Sequence, residues 1–126
     1  MQPNASAIDF SIGRFQISVR YRRVATDEGV TLHIYGPADS GNEEVLRFDC
    51  FRNEPHYHLG WSYRKESFIT IDAEDSFAWA IEQLNSNLNE MLVAAGAIEM
   101  DEQELTTLRA ELGNVHAAGI KAQQAA

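Results

Sequence analysis

The stretch from Leu46 to Trp61, reading Leu-Arg-Phe-Asp-Cys-Phe-Arg-Asn-Glu-Pro-His-Tyr-His-Leu-Gly-Trp, constrains the fold more than any other part of the chain. Two alternating runs flank Asn53 and Glu54, the pattern of a β-hairpin closed by a two-residue loop. That loop sets Arg52 opposite Pro55, then Cys50 opposite Tyr57, Phe48 opposite Leu59 and Leu46 opposite Trp61 on one apolar face. The other face pairs Asp49 with His58 and Phe51 with His56, so two of the 4 histidines stand beside a carboxylate on the side away from the core.

The preceding chain alternates in the same way. Phe15, Ile17, Val19 and Tyr21 share one face, with Arg14, Gln16, Ser18, Arg20 and Arg22 on the other. After turn chemistry at Thr26-Asp27-Glu28-Gly29, Val30, Leu32 and Ile34 alternate with Thr31, His33 and Tyr35. The expected pairing places Tyr21 across from Leu32, Val19 from Ile34 and Arg20 from His33. Residues 1 to 9 read as a frayed lead-in, and Gly36 to Asn42 as a loop. Phe68 to Ile71 adds a short edge strand.

The period then changes. Phe77, Ile81, Leu84, Leu88, Met91, Leu92 and Ala95 recur at spacings of three and four, with Asp72 or Asp75 as N-cap and Gly96 as the stop. A second helix opens at Asp101, with Glu104 in the capping-box position, and shows Leu105, Leu108 and Leu112 before Gly113. These elements give an α+β fold: a four- to five-stranded antiparallel meander, one long C-terminal helix packed on one face, and a second, shorter helix. A single domain spans 1–126, with an ordered core over about 10–112 and a frayed or partly helical tail over 113–126. One face of the sheet is left uncovered and carries Arg20, Arg22, His33, Tyr35, Arg47, Asp49, Phe51, His56 and His58.

Composition narrows the setting. The lone Cys50 cannot form an internal disulfide, and the N-terminus lacks the basic and apolar regions of a secretory signal, so a cytoplasmic setting is expected. No run approaches the ~18 apolar residues of a membrane span, so no membrane partner is expected. The acidic net charge of −9 is carried almost wholly by residues 72–126, which hold 10 Asp and Glu against 2 Lys and Arg. Such a surface repels phosphates, which disfavours nonspecific nucleic-acid binding, whereas the arginines of the first half can hold a small anionic ligand.

His56 and His58 have the i, i+2 spacing that points two imidazoles off one strand face, with Asp49 as a third metal ligand and His33 as a fourth candidate. The alternative is that His58 hydrogen-bonds Asp49 and His56 stacks on Phe51 as ordinary cross-strand pairs. The same residues serve acid-base chemistry if Asp49 orients His58 and Arg47, Arg20 or Arg22 holds an anion. Cys50 faces the core and reads as inert, and no serine or glycine pattern supplies a nucleophile or a nucleotide site, so no cofactor is expected apart from one divalent metal. Trp79 falls on the far side of the helix from Phe77 and Ile81, where either the second helix or a second subunit must cover it.

The run Arg47-Phe48-Asp49-Cys50-Phe51, then Pro55-His56-Tyr57-His58, then an acid-led helix from Phe77-Ala78-Trp79, resembles a small family of uncharacterised bacterial proteins, a domain of unknown function, over roughly residues 15 to 97. A weaker similarity is to toxins of the TumE type, which carry Arg-aromatic-Asp followed by Pro-His-His near a strand end. Here the interval from Asp49 to Pro55 is longer and the toxins' downstream histidine cluster is missing. The expected function is a non-enzymatic binding or interaction module, a homodimer meeting a protein partner through Tyr35, Phe51 or Trp79. The alternative is a metal- or histidine-dependent hydrolase of phosphodiesters or RNA, toxin-like and centred on His56, His58 and Asp49.

Overall fold

The computed structural model describes residues 7–38, 41–60 and 68–126. Among these residues six antiparallel strands run in sequence order, each paired to the next: β1 (Ile8–Ile12), β2 (Phe15–Val24), β3 (Asp27–Ala38), β4 (Gly41–Phe51), β5 (His56–Leu59) and β6 (Ile69–Thr70). Three helices follow, α1 (Ser76–Ser86), α2 (Leu88–Ala94) and α3 (Glu102–Ala125), and their buried residues join the inner face of the sheet in one core. The α+β meander is as expected, with more strands than the four or five anticipated. The additional strand is β1. Residues 8 and 9, read as part of a frayed lead-in, pair with Val19 and Ser18. Among the described residues, no helix is long and apolar enough to cross a membrane.

Both hairpins keep the expected faces but slide by two residues. Tyr21 pairs with Val30 rather than Leu32, Val19 with Leu32, and Arg20 with Thr31 rather than His33. The turn is tighter than expected: Val24 pairs with Asp27, and Ala25 takes a φ of 53°. Asp27 is needed elsewhere. Its carboxylate accepts from the N–H groups of Glu28, Asn53 and Glu54 at 2.9, 3.0 and 2.9 Å, which ties the β4–β5 loop to the β2–β3 turn. Those bonds hold the Asp27 carboxyl below its usual range although burial pushes the other way.

The loop so anchored is longer than two residues. Asp49 pairs with His56, not His58, and Phe48 pairs with Tyr57, not Leu59, while Leu46 takes Leu59 as its partner. Its expected partner Trp61 lies outside the described residues. Arg52 N–H donates to the Glu28 carbonyl at 2.9 Å, and the Pro55 carbonyl accepts from Ile71 N–H at 2.9 Å, so the loop is bound on both sides. Because the slip is even, every side chain stays on its face.

A bulge shapes the far end of β4. Ile34 pairs with Leu46 but Tyr35 pairs with Glu44, leaving Val45 as the extra residue. Val45 and Leu46 are both buried, and Glu44 is turned to the same side as His33.

The expected continuous helix over 77–95 is broken at Asn87, whose φ of −130° leaves the helical region. Asp75 caps α1, and Gly96, at φ 78°, ends α2 as expected. α3 opens on the capping box of Asp101 and Glu104. It is the longest helix among the described residues and continues past Gly113, where a frayed or partly helical tail was expected, burying Val115, Ala118 and Gly119. Gly119 lies against the Phe77 ring, where a Cβ would collide, so α1 and α3 approach closely at a glycine. The other end of α3 holds the β1–β2 turn. Glu104 accepts from the Arg14 N–H at 2.7 Å and from its guanidinium at 2.8 and 3.1 Å.

Candidate functional site

The outer face of the sheet is organised around Asp49 in β4, which is only 2% exposed. Strand pairing sets Thr31 on one side of it and His56 on the other, with Arg47, His33 and His58 forming the neighbouring row. Asp49 Oδ2 accepts from Arg47 Nε at 3.2 Å and lies 3.1 Å from His56 Nε2 and 3.3 Å from His58 Nε2. Oδ1 accepts from Arg22 Nη1 at 3.4 Å. Burial alone would raise the carboxyl pKa. The hydrogen bond from His58 and the charges of Arg47, His56 and Arg22 outweigh it and keep Asp49 ionised below the usual carboxylate range.

His33 is not part of that group. Its Nδ1 lies 2.9 Å from Glu44 Oε2 and its Nε2 lies 2.9 Å from Thr31 Oγ1, so the expectation of a fourth ligand at the Asp49 cluster is corrected. The β4 bulge makes the difference by turning Glu44 toward His33. Arg47 Nη1 donates to Glu44 Oε1 at 3.3 Å, which joins the two carboxylates into one network running from Arg22 to Thr31. Burial raises the Glu44 pKa, but the His33 contact and the Arg47 charge hold it low. Arg20, another candidate anion holder, has its Nε buried with no hydrogen-bond acceptor among the described residues.

Aromatic rings wall the histidines. Phe51, buried, meets His56 edge-on at 5.7 Å, and Phe68 stacks on His56 at 4.0 Å and meets His58 edge-on at 5.7 Å. Phe68 was read only as part of an edge strand. The signal for its role is its place just before Ile69 and Thr70, which pair with Tyr57 and His56. Tyr35 stacks beside His33 at 6.4 Å and is half-buried. A cleft of about 490 Å³, walled by Asp27, Phe51 and Glu54, opens next to His56.

Trp79 belongs to the other side of the sheet. It packs edge-on to Phe48 at 6.2 Å and lies 5.6 Å from Tyr57, so its expected placement on the far face of the helix is corrected. The inward line of α1 is Phe77, Ala80 and Leu84, with Ile81 only half-buried. A small residue at the centre of the contact is what an apolar stripe of large residues misses. Cys50 also faces inward; burial pushes its thiol up to about 12, so it supplies no thiolate.

Fold and site together define an α+β domain with a helix-packed inner sheet face and a histidine–arginine–carboxylate network on the outer one. The chain belongs to the DUF7700 family, a domain of unknown function, whose model matches residues 9–118. No curated protein and no solved structure matches it.

Proposed function

We propose that this domain is a non-enzymatic binding module that works as a homodimer through the outer face of its sheet. One observation carries the non-enzymatic half. Asp49, the carboxylate placed to act as a base, is engaged on both oxygens and held more acidic than a free carboxyl, whereas general-base catalysis at neutral pH needs a pKa raised toward 7. Cys50, which faces inward with its thiol pushed up to about 12, supplies no nucleophile to the cluster.

A second copy suits this face because its charges are mixed. Arg20 and Arg22 stand near the exposed Asp9 and the half-buried Glu44, so two copies related by a twofold axis can set arginines against carboxylates. Tyr35 and the exposed Phe68 supply apolar contact beside them. The helices pack on the opposite side, which leaves this face free of helical cover among the described residues.

The second reading, a metal- or histidine-dependent phosphodiester hydrolase, is favoured by the convergence of His56, His58 and Asp49. Light scattering over a concentration series tests the first. Wild type is expected to approach twice the chain mass of 14.1 kDa, and Tyr35→Glu with Phe68→Glu to stay at the chain mass while keeping its circular dichroism. A wild type that remains monomeric throughout overturns the homodimer. Phosphodiester turnover that is lost in Asp49→Asn overturns the non-enzymatic reading in favour of the hydrolase.

A further inference from the structure

We propose that His56 Nε2, His58 Nε2 and Asp49 Oδ2 hold one imidazole-preferring divalent ion of the zinc, nickel or copper kind. The three ligand atoms lie within 4.8 Å of one another. Oδ2 stands 3.1 and 3.3 Å from the two nitrogens. Around a tetrahedral ion with bonds of about 2.0–2.1 Å, neighbouring ligand atoms are separated by roughly 3.3 Å.

The proton arrangement of His56 points the same way. Its Nδ1 lies 2.7 Å from the Glu54 carbonyl oxygen, which only accepts, so Nδ1 carries the hydrogen. With Nδ1 so engaged, Nε2 is the ring nitrogen left to face Asp49 Oδ2, at 3.1 Å. A backbone carbonyl on the remote nitrogen is also the usual outer contact of a metal-bound imidazole, fixing both tautomer and ring orientation. Without an ion, Arg47 Nε and both imidazoles converge on the single oxygen Oδ2. An ion relieves that crowding and leaves only Arg47 as a hydrogen-bond donor there.

The surroundings select the kind of ion. Two of the three ligands are nitrogens, and the guanidiniums of Arg22 and Arg47 already engage the one carboxylate among them, which disfavours magnesium and calcium with their demand for many anionic oxygens. Phe51 and Phe68 add an apolar wall around the imidazoles. Three protein ligands leave a position for a fourth, either water or a donor atom from whatever binds the outer face. The inference deepens the reading of that face as the working surface, yet metal uptake is counted per chain and so is separable from dimerisation.

Calorimetric titration of chelator-treated full-length protein with zinc chloride is the test. One ion per chain is expected. His56→Gln and His58→Gln should each weaken binding by at least about 100-fold, since even outer contacts of metal ligands are worth ~10–100-fold. His116→Gln, which alters a ring stacked on Phe77, should leave it unchanged. Absence of saturable uptake, or equal losses in all three variants, overturns the proposal. If the site variants fail to fold, NMR of the wild-type imidazole nitrogens decides: zinc should move Nε2 of both His56 and His58, and unmoved signals overturn the site.

Discussion

Phe48 and Asp49 are neighbours in β4, both nearly inaccessible to solvent, and they are buried for opposite reasons. Phe48 lies on the inner face, among Tyr57, Trp79 and the core beneath the helices, where burial of apolar area is itself the driving force. Asp49 lies on the outer face, where burial is a cost that two guanidiniums and two imidazoles offset. The inner face therefore tolerates any apolar residue of the right volume. The outer face depends on particular polar atoms at particular positions, and its network holds them in one arrangement only while each keeps its partners.

Breaking the inner side should cost most. Phe48→Ala is expected to lose about 3–5 kcal/mol, and Phe48→Asp to prevent folding, as read by urea denaturation and circular dichroism. Asp49→Ala should cost less, about 1–3 kcal/mol, because the arginines it strands are partly exposed and can turn to water. A loss at Asp49 larger than that of Phe48→Ala would make the outer network the principal source of stability and reverse the comparison.

Acid should expose a third case, a buried carboxylate on the helix side. Hydrogen bonds from Arg14 hold the Glu104 pKa down to about 2 from an ordinary 4.5 despite burial. A pKa lowered by folding gives stability that is complete above the unfolded value and lost as pH falls through the folded one. The melting temperature of wild type should thus fall between about pH 4.5 and 2. Glu104→Gln should start lower and lose less over the same window, and parallel curves would mean that the Arg14 contact contributes nothing. The smallest effect is expected at the β2–β3 turn. Ala25→Gly relieves a φ of 53° and should gain about 0.5 kcal/mol in urea titrations without altering either face.

The two faces were also unequally legible. Alternation assigned Ile17, Val19, Leu32 and Phe48 to the core because a period of two survives any even slip in register. The partners of Asp49 did not survive it. They follow from the Asp27 clamp on the N–H groups of Asn53 and Glu54 and from the extra residue at Val45, both products of contacts between strands. Trp79 was misread, and the full extent of α3 was not legible, for a related reason. Ala80 and Ala118 are buried there and Gly119 lies against the Phe77 ring, and small residues leave little trace in a hydrophobic pattern. Asp49, His56 and His58 were nevertheless brought together as expected, since alternation alone places them on one face.

The claim that the outer face is the working surface is tested most directly by isotope-filtered NOE measurements on a sample mixing labelled and unlabelled chains. Contacts between copies are predicted at Tyr35 and Phe68. The helix side offers a competing surface, with Val93 and Ile98 exposed by 57% and 50%. Intermolecular contacts confined to Val93 and Ile98, with Tyr35 and Phe68 silent, would contradict the account.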